Sequence, residues 1–142
     1  MNDLRAFMNG NADPTPSVKF APSKRFRMDN GDPIEWEIQP ITAAQDDIIR
    51  KSCTKRVPVP GKKGAFVSEL DSGMYGKKQA VACTVFPPLT NAELQNSYGV
   101  MGAEELLTVM LLPGEYYDYL TKVQEVCGFN VSIGEQVEEA KN

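Results

Sequence analysis

Lys24-Arg25-Phe26-Arg27-Met28-Asp29-Asn30-Gly31-Asp32-Pro33-Ile34-Glu35-Trp36-Glu37-Ile38 alternates apolar and charged residues on both sides of an Asn-Gly pair. Asn-Gly between two alternating runs is a strong hairpin signal, because a tight turn needs the positive φ that these residues tolerate. The alternation puts Phe26, Met28, Ile34, Trp36 and Ile38 on one face and brings arginines near glutamates on the other. The stretch therefore predicts a β-hairpin with its apolar residues on one face.

Downstream, Ile41-Thr42-Ala43-Ala44-Gln45 predicts a helix start, with Thr42 and Gln45 as a reciprocal capping box. Asp46 and Asp47 precede Arg50 and Lys51 by four residues, the favoured acid-first order. The helix is expected to end between Cys53 and Lys55. Arg56-Val57-Pro58-Val59-Pro60-Gly61-Lys62-Lys63-Gly64-Ala65-Phe66-Val67 predicts a second, looser hairpin, since each proline removes a ladder donor and confines any strand to an edge. A helix is expected from Asp71 through Phe86, stopped by Pro87-Pro88. Thr90 and Glu93 form a second candidate capping box, with Leu89 and Leu94 as its hydrophobic staple. Glu104 to Leu112 predicts the next helix. Glu115 to Cys127 predicts the last, with Tyr116, Leu120, Val123 and Cys127 on one stripe and Gly128 as a left-handed cap.

The expected fold is α+β: an N-terminal β-hairpin plus a second proline-containing hairpin, packed with four or five short α-helices. The expected organisation is a flexible arm over 1–22, a single α+β domain over 23–129, and a flexible acidic tail over 130–142. Met1-Asn2-Asp3-Leu4-Arg5 lacks the basic start and apolar stretch of a secretory signal, and no run approaches a membrane span. The expectation is a cytoplasmic chain with no membrane partner.

The 142 residues contain no histidine, which removes the commonest general base and zinc ligand and every His-activated nucleophile. Asp46-Asp47, Glu104-Glu105 and Glu138-Glu139 are adjacent pairs that diverge on a helix and form no acid–base dyad. Cys53, Cys83 and Cys127 contain no Cys-x-x-Cys pair and read as free buried thiols. No enzyme activity, cofactor or metal is expected. The net charge of −4 is uneven. Residues 1–70 hold eleven Lys/Arg against nine Asp/Glu, and residues 71–142 hold four against ten. An acidic chain with one basic region is poorly suited to nucleic acid.

That basic region is the main candidate site. Six Lys/Arg and no acid lie between Arg50 and Lys63. Arg50 and Lys51 have helical partners, whereas Lys55, Arg56, Lys62 and Lys63 do not. Two readings stand: a solvated loop that protects an edge strand from mispairing, or a docking surface for an acidic or helical partner. Tyr117 and Tyr119 on the last helix are the aromatic candidates for an interface.

Cys53-Thr54-Lys55-Arg56-Val57-Pro58-Val59-Pro60-Gly61, Glu35-Trp36-Glu37, Ala80-Val81-Ala82-Cys83-Thr84-Val85-Phe86-Pro87, the run from Leu94 to Leu107, and Pro113-Gly114-Glu115-Tyr116-Tyr117 together resemble the XkdN-like tail assembly chaperones. These occur in long-tailed phages and defective prophages of Gram-positive bacteria. The resemblance implies a non-enzymatic assembly factor that binds the tape measure protein in the host cytoplasm. It would keep that client soluble during tail tube assembly, self-associate weakly, and be absent from the virion. The alternative is a structural tail component, a tube-initiator or completion protein, retained in the particle. Related chaperones are often made in two lengths by ribosomal frameshifting. Ala140-Lys141-Asn142 permits the slippery codons GCA-AAA-AAC, and a longer form of that kind would bring the tail tube protein in as a partner.

Overall fold

The computed structural model describes residues 3–129. The chain runs through strands β1 (Val18–Phe20) and β2 (Trp36–Ile38), helix α1 (Ala43–Ser52), and strands β3 (Thr54–Pro58) and β4 (Phe66–Leu70). Helix α2 (Ser72–Cys83), strand β5 (Thr84–Phe86) and helices α3 (Ala92–Ser97), α4 (Ala103–Met110) and α5 (Pro113–Val126) follow. The strands form a three-stranded sheet in the order β1-β2-β5 and a separate two-stranded ribbon, β3-β4. The α+β class and the five helices agree with the sequence reading. The expected tail over 130–142 lies outside the described residues.

The Asn30-Gly31 turn forms, with Gly31 at φ +90. Met28 N–H donates to the Asp32 carbonyl at 2.8 Å and Ile34 N–H to the Phe26 carbonyl at 2.8 Å. Between them the ladder is a single antiparallel bridge, Arg27 to Pro33, because Pro33 has no N–H to extend it. The apolar half of the stretch pairs more fully elsewhere. β2 is central and antiparallel to both neighbours, with Phe20 opposite Trp36 and Val18 opposite Ile38 on one side. On the other side lies β5, with Glu37 opposite Phe86. Paired strand thus occupies residues 18–20 of the segment read as an arm. Thr84–Phe86, expected as the end of a helix, is strand instead: α2 stops at Cys83, and two β-branched residues and an aromatic then complete the sheet.

The core lies between this sheet and helices α2, α4 and α5. Trp36 and Ile38 on β2 meet Ala80, Cys83, Leu106, Leu107, Tyr119 and Val123, all buried. Trp36 and Tyr119 pack edge to face with ring centroids 5.1 Å apart, a favoured aromatic geometry. Phe20 stacks on the other side of Tyr119 at 6.3 Å. The Thr84 hydroxyl donates to the Ala80 carbonyl at 2.7 Å, which leaves the Tyr119 hydroxyl to donate to Thr84 Oγ1 at 2.6 Å. The polar end of this core tyrosine is therefore satisfied.

Local signals fix the helix ends. Thr42 Oγ1 accepts from Gln45 N–H and Gln45 Oε1 accepts from Thr42 N–H, the expected capping box. The cap of α3 is Asn91 rather than Thr90: Asn91 Oδ1 accepts from Leu94 N–H at 2.8 Å. Both residue types cap well, and asparagine ranks above threonine. Gly128 adopts φ +90 beyond α5. Its N–H bonds to the Glu125 carbonyl, and Phe129 N–H bonds to that of Gln124, a Schellman closure.

The acid-first pairs of α1 act differently from expectation. Tyr75 on α2 donates to the Asp46 carboxylate at 2.8 Å, Gln79 Nε2 donates to Asp46 Oδ1 at 3.1 Å, and the Arg50 guanidinium lies 4.7 Å over the Tyr75 ring. Asp46 and Arg50 thus clamp α1 to α2, since contacts across helices gain from partial burial that an exposed i,i+4 pair lacks.

Burial pushes the phenols of Tyr119 and Tyr75 above their ordinary 10.0, and at Tyr75 the hydrogen bond to Asp46 adds to the effect. A raised tyrosine favours the neutral form in the folded state. Its stabilisation is complete below pH 10 and is lost as pH rises through that value towards the folded one. Urea midpoints are expected to drop as pH is raised beyond 10, together with the appearance of tyrosinate absorbance. A flat profile across that range would contradict the buried phenols.

Candidate functional site

The ribbon β3-β4 carries all four candidate cations. Its register places Lys55 opposite Glu69, Arg56 opposite Ser68, Val57 opposite Val67 and Pro58 opposite Phe66. The base is closed by Asp71 N–H donating to the Cys53 carbonyl at 2.8 Å, with Cys53 buried beneath it. At the tip, Val59 N–H bonds to the Ala65 carbonyl and Lys62 N–H to that of Val59. Gly61 and Gly64 supply the positive φ values, +79 and +82, that the reversal requires.

Unlike the core sheet, this ribbon buries neither face. Lys55, Arg56, Pro58, Lys62, Lys63, Phe66 and Val67 are all exposed, and only Val57, Val59, Ala65 and Leu70 are half-buried. Phe66 and Val67 are each about half accessible. None of the four cations makes an ion pair among the described residues. Arg56 instead lays its guanidinium 4.7 Å over the Phe66 ring, a cation–π contact across the ribbon. A shallow concavity of about 460 Å³ at the tip is lined by Pro58, Val59, Lys62, Lys63, Ala65 and Phe66 among others. Chemically this is a two-sided finger that offers positive charge without an ion pair among the described residues beside uncovered aromatic and β-branched surface. It holds no nucleophile with a base.

The two tyrosines separate. Tyr117 is 66% exposed on α5 and packs edge to face against Tyr116 at 5.3 Å. Tyr119 is fully buried among Trp36, Phe20 and Thr84, so it is a core residue and leaves the candidate surface. The expected stripe on α5 does face the core, with Val123 buried and Tyr116, Leu120 and Cys127 half-buried against it, and Tyr119 joins it as a fully buried member that the stripe left out. Phe66, which lies in the expected second hairpin and is not among the expected site residues, is half accessible beside the cations. The available signal was the lack of alternation over residues 54–70, which left no face to bury.

Among the described residues there is no group of three or more His, Cys, Asp or Glu able to hold a metal ion, and no helix is long and apolar enough to cross a membrane.

Comparison with known proteins places the whole architecture. The chain is 31% identical over 141 residues to the phage-like element PBSX protein XkdN of Bacillus subtilis, covering 99% of this chain and 94% of that protein. It is 32% identical over 141 residues to YqbN of the same organism, an uncharacterised protein, covering 99% and 93%. The crystal structure of YqbN superposes with a TM-score of 0.77 at 29% identity, covering 92% of this chain and 99% of that one. The family model described as the phage XkdN-like tail assembly chaperone protein matches residues 4–141. By fold, by sequence and by extent, this chain belongs to the phage XkdN-like tail assembly chaperone family.

Proposed function

We propose that the chain binds the tape measure protein of its phage or prophage in the host cytoplasm and keeps that long helical client soluble while the tail tube assembles around it. Family membership directs the search for partners to phage tail proteins. The observation that carries the finer reading is the ribbon β3-β4, which presents four cations with no ion pair among the described residues beside exposed Phe66 and Val67, and buries neither face. A client of amphipathic helices offers acidic side chains to the cations and apolar stripes to the aromatic and β-branched surface. Tyr117, exposed on α5, is a second contact of the kind enriched at interfaces. Binding and release, with no catalysis, account for the whole activity. Weak self-association along one client, and a longer form reaching the tail tube protein, belong to the same proposal.

Co-expression with the tape measure protein tests it. The client is expected to move from the insoluble to the soluble fraction and to co-purify with this chain, and mass spectrometry of finished virions is expected to find the client without it. An insoluble client, together with this chain in stoichiometric amount in virions, would favour a retained structural component instead.

A further inference from the structure

We propose that Cys83 and Cys127 are a built covalent modification site, a thiol pair that a small organic disulfide converts into an intramolecular disulfide. The two sulfurs lie 3.4 Å apart, Cys83 at the end of α2 and Cys127 at the end of α5. A disulfide needs them at about 2.05 Å, so a small closing movement of two helix ends suffices. The third thiol, Cys53, is buried at the base of the ribbon beside Ser52 and plays no part.

The two thiols have different surroundings, and these set the order of events. Cys83 is wholly buried, and burial together with the neighbouring thiol holds it in the protonated form. Cys127 is half-buried and lines two concavities, of about 420 and 150 Å³, that flank the end of α5. A small reagent reaches Cys127 first. Having given its proton to solvent, Cys127 Sγ attacks one sulfur of the reagent. The reagent's S–S bond breaks, one thiolate leaves, and a mixed disulfide forms on Cys127. Cys83 Sγ then attacks Cys127 Sγ and passes its proton to the second departing thiolate. The protein loses two protons and two electrons, the equivalent of two hydrogen atoms, and the reagent is reduced to two thiols. The product joins residues 44 apart in sequence and fixes the end of α5 to α2.

Intact-mass measurement with oxidised glutathione tests this. The wild-type chain is expected to lose the mass of two hydrogens, with peptide mapping placing the bond between Cys83 and Cys127. Cys53→Ala is expected to close in the same way, and Cys83→Ala to stop at the glutathione adduct on Cys127. The closed form is expected to melt on the order of 5–15 °C higher than the reduced form, and dithiothreitol is expected to return it. A wild-type chain that halts at the adduct, bonds through Cys53, stays unreacted, or melts no higher once closed would overturn the proposal.

Discussion

Trp36→Ala is expected to destabilise the chain by about 3–5 kcal/mol, the range for deleting a large buried aromatic. Domains of this size are stable by only about 5–15 kcal/mol, so the variant is expected to sit at or near unfolding under ordinary conditions. The large effect follows from position. Trp36 is 2% exposed on the central strand of the sheet. Its ring meets Tyr119 at 5.1 Å and Phe26 at 6.4 Å, so it ties the helical layer and the Asn30-Gly31 turn to the sheet. Alanine would leave a void between the rings of Tyr119 and Phe26, which are held on separate segments and cannot both collapse into it. Trp36→Phe keeps an aromatic edge near Tyr119 and is expected to cost less than half as much. Urea unfolding followed by circular dichroism checks both. A cost below about 1 kcal/mol for the alanine variant would contradict the layered core.

Reversal of Lys55, Arg56, Lys62 and Lys63 to glutamate is expected to weaken client binding roughly 10- to 100-fold, since each rim charge pair contributes some tenths of a kcal/mol to about 1 kcal/mol. Reversal replaces attraction by repulsion, and the loss is expected to appear mainly in the association rate and in its salt dependence. Wild-type binding is expected to fall as salt rises, whereas binding by the reversed variant changes little or strengthens. The fold is expected to survive, because none of the four side chains is buried or ion-paired among the described residues. Among the described residues the Arg56–Phe66 contact is lost and Lys55→Glu sets a like charge opposite Glu69, a local cost of about 1 kcal/mol or less at each place. An unchanged affinity with an intact fold would return the ribbon to the role of a solvated guard on edge strands.

These two substitutions also mark what the sequence made legible. Around Trp36 the alternation and the Asn-Gly pair announced both the buried face and the turn. The strands that flank β2 were hidden. Val18-Lys19-Phe20 is three residues long with Pro16 and Pro22 close by, too short for any period to register. Thr84-Val85-Phe86 continues the apolar character of α2 without a break, and only the long-range pairing with β2 decides that it is strand. Tyr119 was misplaced because a helix bearing tyrosines at three nearby positions does not state which one faces inward. The Thr84 hydroxyl, which satisfies Tyr119 inside the core, comes from 35 residues away. Asp46 had a plausible partner four residues on, yet its bonds go to Tyr75 and Gln79 on another helix. The four cations were legible as a group because their one shared property, the lack of local partners, is a local property.

In the proposed function the ribbon β3-β4 is the client surface. Hydrogen exchange of the chain, alone and in complex with the tape measure protein, tests it most directly, because the backbone of a two-stranded ribbon exposed on both faces exchanges readily unless something covers it. Exchange over residues 54–70 is expected to slow on binding, most strongly near Phe66 and the Lys62-Lys63 tip. Unchanged exchange there, with protection elsewhere in the chain, would contradict it.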